Sequence, residues 1–492
     1  MYLRAGVFSL GLLLLSRMLG LLRESVQAAA FGSTGMGDAV IVMFTLPDLL
    51  VGILISGALS YVLLPAWAQQ SPSQQAAGQR KIAVALVCSG LVMGLLMWLF
   101  RGSLVQVLAP GLVSDIKVAG ANALGWSAAV LPLAMLAGLW VTRLQQTQDF
   151  VGMYAGNLFF NLALVVGLFV VDKRAEDSIP AHSLLGICLV IAMLGRLAWL
   201  AWRLPASPKP KVIAPAVNLP RARVWLWAVL SSGLLLVFPL VARSLASTAG
   251  EGSLTSFNYA WKLIELPLVL AVQLVASLAF PAITRTHAGS PARQQAVSLA
   301  FSVAWALACA AIAMVATFSL PIASVLFGWG SMSGSALEVI AQWSAIGIWS
   351  LLPQALMAVL LTVMATNRRM WIAVWVMAAG LALLVFTGWS GGFNGQDLMW
   401  LLNAVFACMA AVLMLFERRI IKATLPYLAF LIPLLVCVGL VSLKPLFLTL
   451  NMPLTLILCA VYGLLVMGSA IFAIPVLRGM FSKRFKKKST YE

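Results

Sequence analysis

Residues 15–65 read LSRMLGLLRESVQAAAFGSTGMGDAVIVMFTLPDLLVGILISGALSYVLLP. Two apolar spans are joined here by a short glycine-rich turn. Four charged residues stand out in or beside the spans: Arg17, Arg23, Glu24 and Asp38. A charged side chain in hydrocarbon costs about 3 kcal/mol or more, so it belongs against a protein interior or a water-filled cavity. Arg17 and Arg23 are six apart, about 600° around a helix. They cannot share one line, but both can border one wide face. Asp38 opens the next span, where it can answer them. The stretch reads as one wall of a cationic cavity inside a membrane protein.

The rest of the chain agrees with that setting. Of 492 residues, 62% are hydrophobic and 9% charged. Apolar runs of about 20 residues, each long enough to cross a bilayer as a helix, recur from end to end. A β-barrel would show shorter, alternating segments. The fold class expected is therefore an all-α polytopic membrane protein with about 14 transmembrane helices. The N-terminal run resembles a cleaved signal peptide in part, but Arg17 and Arg23 interrupt it before Ala28-Ala29-Ala30, so it is expected to be a retained first helix.

The net charge of +18 has a topological reading. With the N-terminus in the cytoplasm, 22 of the 32 lysines and arginines fall in cytoplasmic segments and only 4 on the opposite side. That asymmetry places both termini inside. No aromatic-studded basic groove points to nucleic acid. The basic tail from Arg478 onward is expected to lie against anionic lipid headgroups or to act as a plain stop-transfer anchor.

A proline-rich basic linker, 204–224, divides the chain. The two sides resemble each other. FTLPDLL around Pro47 matches KLIELPL around Pro267; VLAPG at 107–111 faces VLFGWG at 325–330; and the LP segment with Pro132 faces the one with Pro353, all at an offset near 220. The expected organisation is two pseudo-symmetric six-helix lobes, 1–203 (helices 1–6) and 225–416 (helices 7–12), related by an axis along the membrane normal, with 417–492 adding helices 13 and 14 and the basic tail. Pro47, Pro132, Pro267 and Pro353 each fall within a span. Proline frees a carbonyl and bends a helix, so these four are the candidate hinges or kinks for rocking around a central cavity, unless they are inherited bends with no mechanical role.

No catalytic motif is present: no P-loop, no HExxH and no GxSxG with triad partners, so neither an enzyme nor an ATP-driven pump is expected. The six cysteines lie in apolar spans without a CxxC, and His182 and His287 sit in loops without partners, so neither a metal nor a cofactor is expected. Buried charge remains: Arg17, Arg23 and Asp38 on one side of the linker, Lys262 and Glu265 on the other, with Arg243 near the end of a span. Lys262 and Glu265 are spaced i, i+3 and can neutralise each other. Arg17 and Arg23 can likewise be structural partners of Glu24 or Asp38. An excess of cations in a cavity favours an anionic ligand, and arginine forks suit phosphate.

SRMLGLLRE (16–24), AAFGSTGMGDA (29–39), FTLPDLL (44–50), GALSYVLLP (57–65) and YAWKLIELP (259–267) followed by LAFP (278–281) resemble the MurJ/MviN family of bacterial lipid II flippases, within the multidrug/oligosaccharidyl-lipid/polysaccharide exporter superfamily. The resemblance implies that Arg17, Arg23, Asp38 and Lys262 line a cavity for a diphosphate-linked sugar headgroup, and that helices 13 and 14 form a groove for the polyprenyl tail. It implies a flippase that moves a lipid II-like peptidoglycan precursor across the bacterial inner membrane. Where the family commonly carries arginines after LPNLL and a glutamate before GA, this chain has Val51, Gly52 and Ser56, and Lys262 replaces an arginine. Another polyprenyl-diphosphate glycan, as in exopolysaccharide or O-antigen export, is the alternative substrate. A cation-coupled drug exporter on the same fold is the alternative of another class, and it predicts acidic rather than basic cavity residues.

Overall fold

A computed structural model describes residues 2–54, 58–68, 70–173, 180–205, 222–269, 275, 283, 290–447, 451–474 and 478. Most of the 204–224 linker, the tail after Arg478, His287, Ser56 and the 278–281 segment lie outside them. The described residues are almost entirely helical. Among them, eleven helices are long and apolar enough to span a bilayer, or twelve if a pair bent by 81° at 425–426 is one span.

The chain divides into two compact units, Met1–Thr255 with Leu326–Ser333, and Ser256–Val325 with Gly334–Glu492. The first holds α1 (Tyr2–Phe31), α2 (Gly35–Ile53), α3 (Leu59–Ala68), α4 (Pro72–Leu99), α5 (Arg101–Leu108), α6 (Ser114–Gln146), α7 (Phe150–Lys173), α8 (Ala181–Arg203) and α9 (Ala222–Ala246). Its main core gathers Val26, Phe44, Phe160, Leu164, Leu189 and Leu197 from α1, α2, α7 and α8. Between lipid-soluble helices the hydrophobic drive is weak, so close backbone approach matters more. At Gly94 of α4 an added Cβ would lie 2.6 Å from the Ala128 carbonyl oxygen of α6, so any larger residue would push these helices apart.

The second unit takes most of α10 (Ser253–Pro267), then α11 (Pro291–Phe327), α12 (Gly334–Gly347), α13 (Leu351–Thr366), α14 (Met370–Gly391), α15 (Gly395–Phe416), α16 (Arg418–Thr424), α17 (Tyr427–Ser442) and α18 (Met452–Ala473). The last two pack on each other and on α11, through Ala306, Ala429 and Ala470. The Trp305 indole donates to the Phe430 carbonyl at 3.0 Å, and Phe318 meets Tyr462 edge-on at 5.0 Å.

The prolines behave differently from one another. Pro47 and Pro132 lie inside helices that run on through them. Pro267 is the last residue of α10. Pro353 sits in the first turn of α13, directly after a 3-10 turn at Ile348–Ser350 that separates α12 from α13. Proline has no N–H to return to the preceding turn, so the helix tightens there instead of continuing. A further break, which the sequence reading passed over, lies at Phe318 (φ −112°, ψ 29°), three residues before Pro321 in α11.

The 220-residue offset reappears in the backbone. Gln148 and Arg368 both have φ 58°, the two non-glycine residues with positive φ among those described. Each follows a helix end with the same pair of hydrogen bonds: Gln148 N to Gln145 O and Asp149 N to Leu144 O, and Arg368 N to Ala365 O and Arg369 N to Met364 O. This is the six-to-one, five-to-two closure of a helix C-terminus, which needs one left-handed residue.

Candidate functional site

Arg23 is buried in the first unit, at 8% exposure. Its Nη2 donates to Glu24 Oε1 at 2.8 Å and lies 3.7 Å from Asp48 Oδ2. Its guanidinium stands over the Phe44 ring, 5.3 Å from the centroid. Its Nε is sealed from solvent with no acceptor. One turn on, the buried Gln27 has its Nε2 in the same condition. Both are donors on one face of α1, since residues four apart share a face.

Arg17 is exposed and makes no hydrogen bond or ion pair among the described residues. Beside it, Ser16 accepts from Asn157 Nδ2 at 2.7 Å, which ties α1 to α7. The structure therefore pairs Arg23 with Glu24 and, at longer range, with Asp48, an acid the sequence reading did not single out. Asp48 belongs to the FTLPDLL segment, and as a charge one turn past buried Phe44 it was visible to the same argument that found Arg17 and Arg23.

Asp38 joins neither arginine. It is fully buried, and both carboxylate oxygens are occupied by the start of α10: Oδ2 accepts from Gly252 N at 2.8 Å, and Oδ1 from Thr255 N at 2.8 Å and Thr255 Oγ1 at 2.6 Å. The first four N–H groups of a helix lack internal partners, and a carboxylate satisfies them with favourable charge. Glu251 returns the favour, its Oε1 accepting from Gly35 N, at the start of α2, at 2.9 Å. The approach depends on Gly252 (φ 75°), where a Cβ would lie 2.2 Å from the Ser33 carbonyl oxygen.

Arg243 of α9 reaches Thr45 of α2 at 3.4 Å. In the second unit, Lys262 Nζ meets Glu265 Oε2 at 2.9 Å, both half-buried on α10, the i, i+3 pair that the spacing allows. The four prolines named as hinges lie in α2, α6, α10 and α13, and none is a ligand-bearing group.

Sequence reasoning also passed over Arg196 of α8. It is 5% exposed, and its guanidinium stands 5.7 Å from the centroid of the Phe160 ring. The signal was an arginine in the middle of an apolar span, SLLGICLVIAMLGRLAWLAW.

A family model described as lipid II flippase MurJ matches residues 27–452. A lipid II flippase MurJ of Burkholderia cenocepacia is 23% identical over 354 residues, 68% of this chain and 67% of that one. A probable lipid II flippase MurJ of Rhizobium meliloti is 27% identical over 351 residues, 67% of this chain and 64% of that one. The chain thus spans about two thirds of the length of these relatives. Among solved structures, lipid II flippase MurJ in an inward closed conformation superposes with a TM-score of 0.80 at 14% identity, covering 96% of this chain and all of that one. An inward-facing multidrug resistance MATE transporter of the MOP superfamily gives 0.66 at 13% identity, covering 82% and 94%. Both likenesses are of fold.

Proposed function

The chain belongs to the lipid II flippase MurJ family, and from that premise we propose that it carries a polyprenyl-diphosphate-linked oligosaccharide, lipid II-like, from the cytoplasmic to the periplasmic leaflet by alternating access. The chain is a multi-span membrane protein of a transporter family. The proposed location is the bacterial inner membrane with both termini cytoplasmic, on the asymmetry of its basic residues. The proposed working parts are the lobes 1–203 and 225–416, with Pro47, Pro132, Pro267 and Pro353 as places where the helices bend. Spans 13 and 14 take the polyprenyl tail.

One observation carries the reading. On α1, Arg17 has no anionic partner and Arg23 has more donors than Glu24 and Asp48 satisfy. Guanidinium forks in a low-dielectric setting bind phosphate through short, charge-assisted hydrogen bonds. A diphosphate supplies both the charge and the acceptor oxygens. Lys262, with Glu265 beside it, is proposed as a second, point-charge contact, and Asp38 as the residue that fixes the α2 wall rather than as a ligand. With no P-loop, the drive is proposed to be membrane potential or an ion gradient.

The reading is tested by expression in cells depleted of their lipid II flippase. Rescue by the wild-type chain, and no rescue by Arg17→Ala or Arg23→Ala present in the membrane at wild-type level, is the expected result. Full rescue by both variants overturns it. Val51 and Gly52, where the resemblance implies one or two arginines, favour testing one second substrate class, the lipid-linked glycans of exopolysaccharide or O-antigen export. Failure of the wild-type chain to rescue, with transport of such a glycan, selects it.

A further inference from the structure

A groove in the first unit runs along the seam of α4, α6 and α8. The first two meet through small residues. An added Cβ would lie 2.6 Å from Pro132 Cα at Gly90, 2.6 Å from the Ala128 carbonyl oxygen at Gly94, and 3.6 Å from Trp98 Cδ1 at Gly125. Numbers rise along α4 as they fall along α6, so the helices are antiparallel, and Arg101, three residues past Trp98, comes level with Asn122, three before Gly125. On the other flank Gly186 of α8 lies against the Trp126 ring of α6. One turn earlier on each helix stand His182 and Asn122. Four polar side chains from three helices thus share one level.

The groove holds about 820 Å³ and opens at the surface of the unit. One end carries Arg101, Asn122, His182 and Ser183; the rest is apolar, with Leu91, Leu95, Ala129 and Pro132 among its walls. No acid among the described residues lines it. None of the four polar side chains makes a hydrogen bond or ion pair among the described residues, and the Arg101 guanidinium stands over the Trp98 ring at 5.0 Å. A ring face offsets part of the desolvation of a cation but accepts none of its N–H bonds. The polar end lies where α4 stops at Leu99 and α8 starts at Ala181, the level of the headgroups, where tryptophans such as Trp98 and Trp126 gather. An unpaired guanidinium beside hydroxyl, amide and imidazole groups suits a phosphodiester. A free phosphate would leave the apolar length unfilled. An ethanolamine headgroup would bring an ammonium to a wall without an acid.

We propose that this groove binds one anionic glycerophospholipid of the phosphatidylglycerol type, its phosphodiester held by Arg101 with Asn122, His182 and Ser183, and an acyl chain laid along Leu91, Leu95 and Pro132. With both termini cytoplasmic, as proposed above, the lipid comes from the periplasmic leaflet. The groove shares no residue with the α1 guanidiniums, and the inference does not depend on what they carry. The bound lipid fills the seam and ties α4 to α8 across α6.

The test is titration of delipidated full-length protein in detergent with phosphatidylglycerol and, separately, phosphatidylethanolamine, read by native mass spectrometry, with thermal unfolding measured with and without each lipid. Wild-type protein is expected to bind phosphatidylglycerol more tightly and to unfold at a higher temperature in its presence. Arg101→Gln should weaken that binding about tenfold, the scale of one lost charge-assisted hydrogen bond, and remove the thermal gain. Arg101→Lys, which keeps the charge without the fork, should fall between. Ala129→Phe, at an exposed position in the apolar wall, should fill the groove and weaken binding by a similar factor. Should Ala129→Phe not fold, the two Arg101 variants decide. Equal wild-type binding of the two lipids, or wild-type phosphatidylglycerol binding by Arg101→Gln, identifies unselective lipid contact and overturns the proposal. So does a wild-type dimer that Ala129→Phe abolishes while lipid binding stays unchanged, which would give the groove to a second copy of the chain.

Discussion

Asp38 and Thr255 meet twice: one carboxylate oxygen accepts from the Thr255 backbone N–H at 2.8 Å and from its hydroxyl at 2.6 Å. With Gly252 N on the other oxygen, a residue in the first turn of α2 caps α10 from outside its own helix. Glu251 and Gly35 make the reciprocal bond. The two segments stand about 216 residues apart in the sequence.

Removing that cap should cost stability first. Asp38→Ala leaves three donors without an acceptor at a fully buried position. Loss of a cap costs about 0.5–2 kcal/mol and a stranded buried donor about 1–3 kcal/mol, so a loss of about 2–4 kcal/mol is expected. Thr255→Val, which removes one hydroxyl, should cost about 1 kcal/mol. Denaturant unfolding in detergent measures both, and a wild-type midpoint for Asp38→Ala contradicts the capping role.

The left-handed residues give a prediction of the opposite sign. Gln148 and Arg368 adopt φ 58°, a conformation that disfavours a residue with a Cβ by about 1–2 kcal/mol. Gln148→Gly and Arg368→Gly should each raise stability, by up to about 1 kcal/mol after the greater entropy of glycine in the unfolded chain. A fall in unfolding temperature for either would show that its side chain holds more than its backbone loses.

Much of this was legible in the chain. Apolar runs define the helices because a bilayer admits little else. Gln148 and Arg368, 220 residues apart, share one backbone conformation, and no sequence motif marked either of them. Buried Arg23 could be found because charge in a span is rare, and Arg196 was visible on the same ground. Their partners could not. Spacing along one helix gives Lys262 with Glu265, but the pairing of Asp38 with residues near 255, and of Asp48 with Arg23, is set by how separate helices pack. Glycine at 252 decides one of these, and nothing at Asp38 itself announces it.

Acid should loosen the end of the α6–α7 turn. Asp149 binds Arg203 through both oxygens, at 2.7 and 2.9 Å, and also accepts from Gly152 N at 2.9 Å. Burial alone would raise its carboxyl, but the Arg203 and Gly152 hydrogen bonds and the Arg203 charge outweigh it and hold the group below its ordinary value. A lowered carboxyl stabilises the fold fully above the unfolded value, about 3.9, and the contribution disappears as pH falls through the lowered one. For so exposed a pair the effect is small, below about 1 kcal/mol. Unfolding temperature measured from pH 7 to pH 3 should fall less steeply in Arg203→Gln than in wild type. Superimposable curves would remove the pair from the stability of this turn.

The proposed orientation has its own check. In a background without native cysteines, Thr34→Cys and Gly334→Cys should react with an impermeant thiol reagent from the periplasmic side, and Ser73→Cys only after permeabilisation. The reverse pattern contradicts cytoplasmic termini, and with them the direction of export.

The most direct test of the central claim is a flipping assay with pure protein. Vesicles carrying the reconstituted chain and lipid II in both leaflets are challenged from outside with an enzyme that cleaves the exposed headgroup. Wild-type protein is predicted to render nearly all the lipid II cleavable, and Arg17→Ala and Arg23→Ala only the outer-leaflet share seen in empty vesicles. Equal and complete cleavage with both variants, folded and inserted as the wild type is, would contradict the account that guanidiniums on α1 carry the diphosphate.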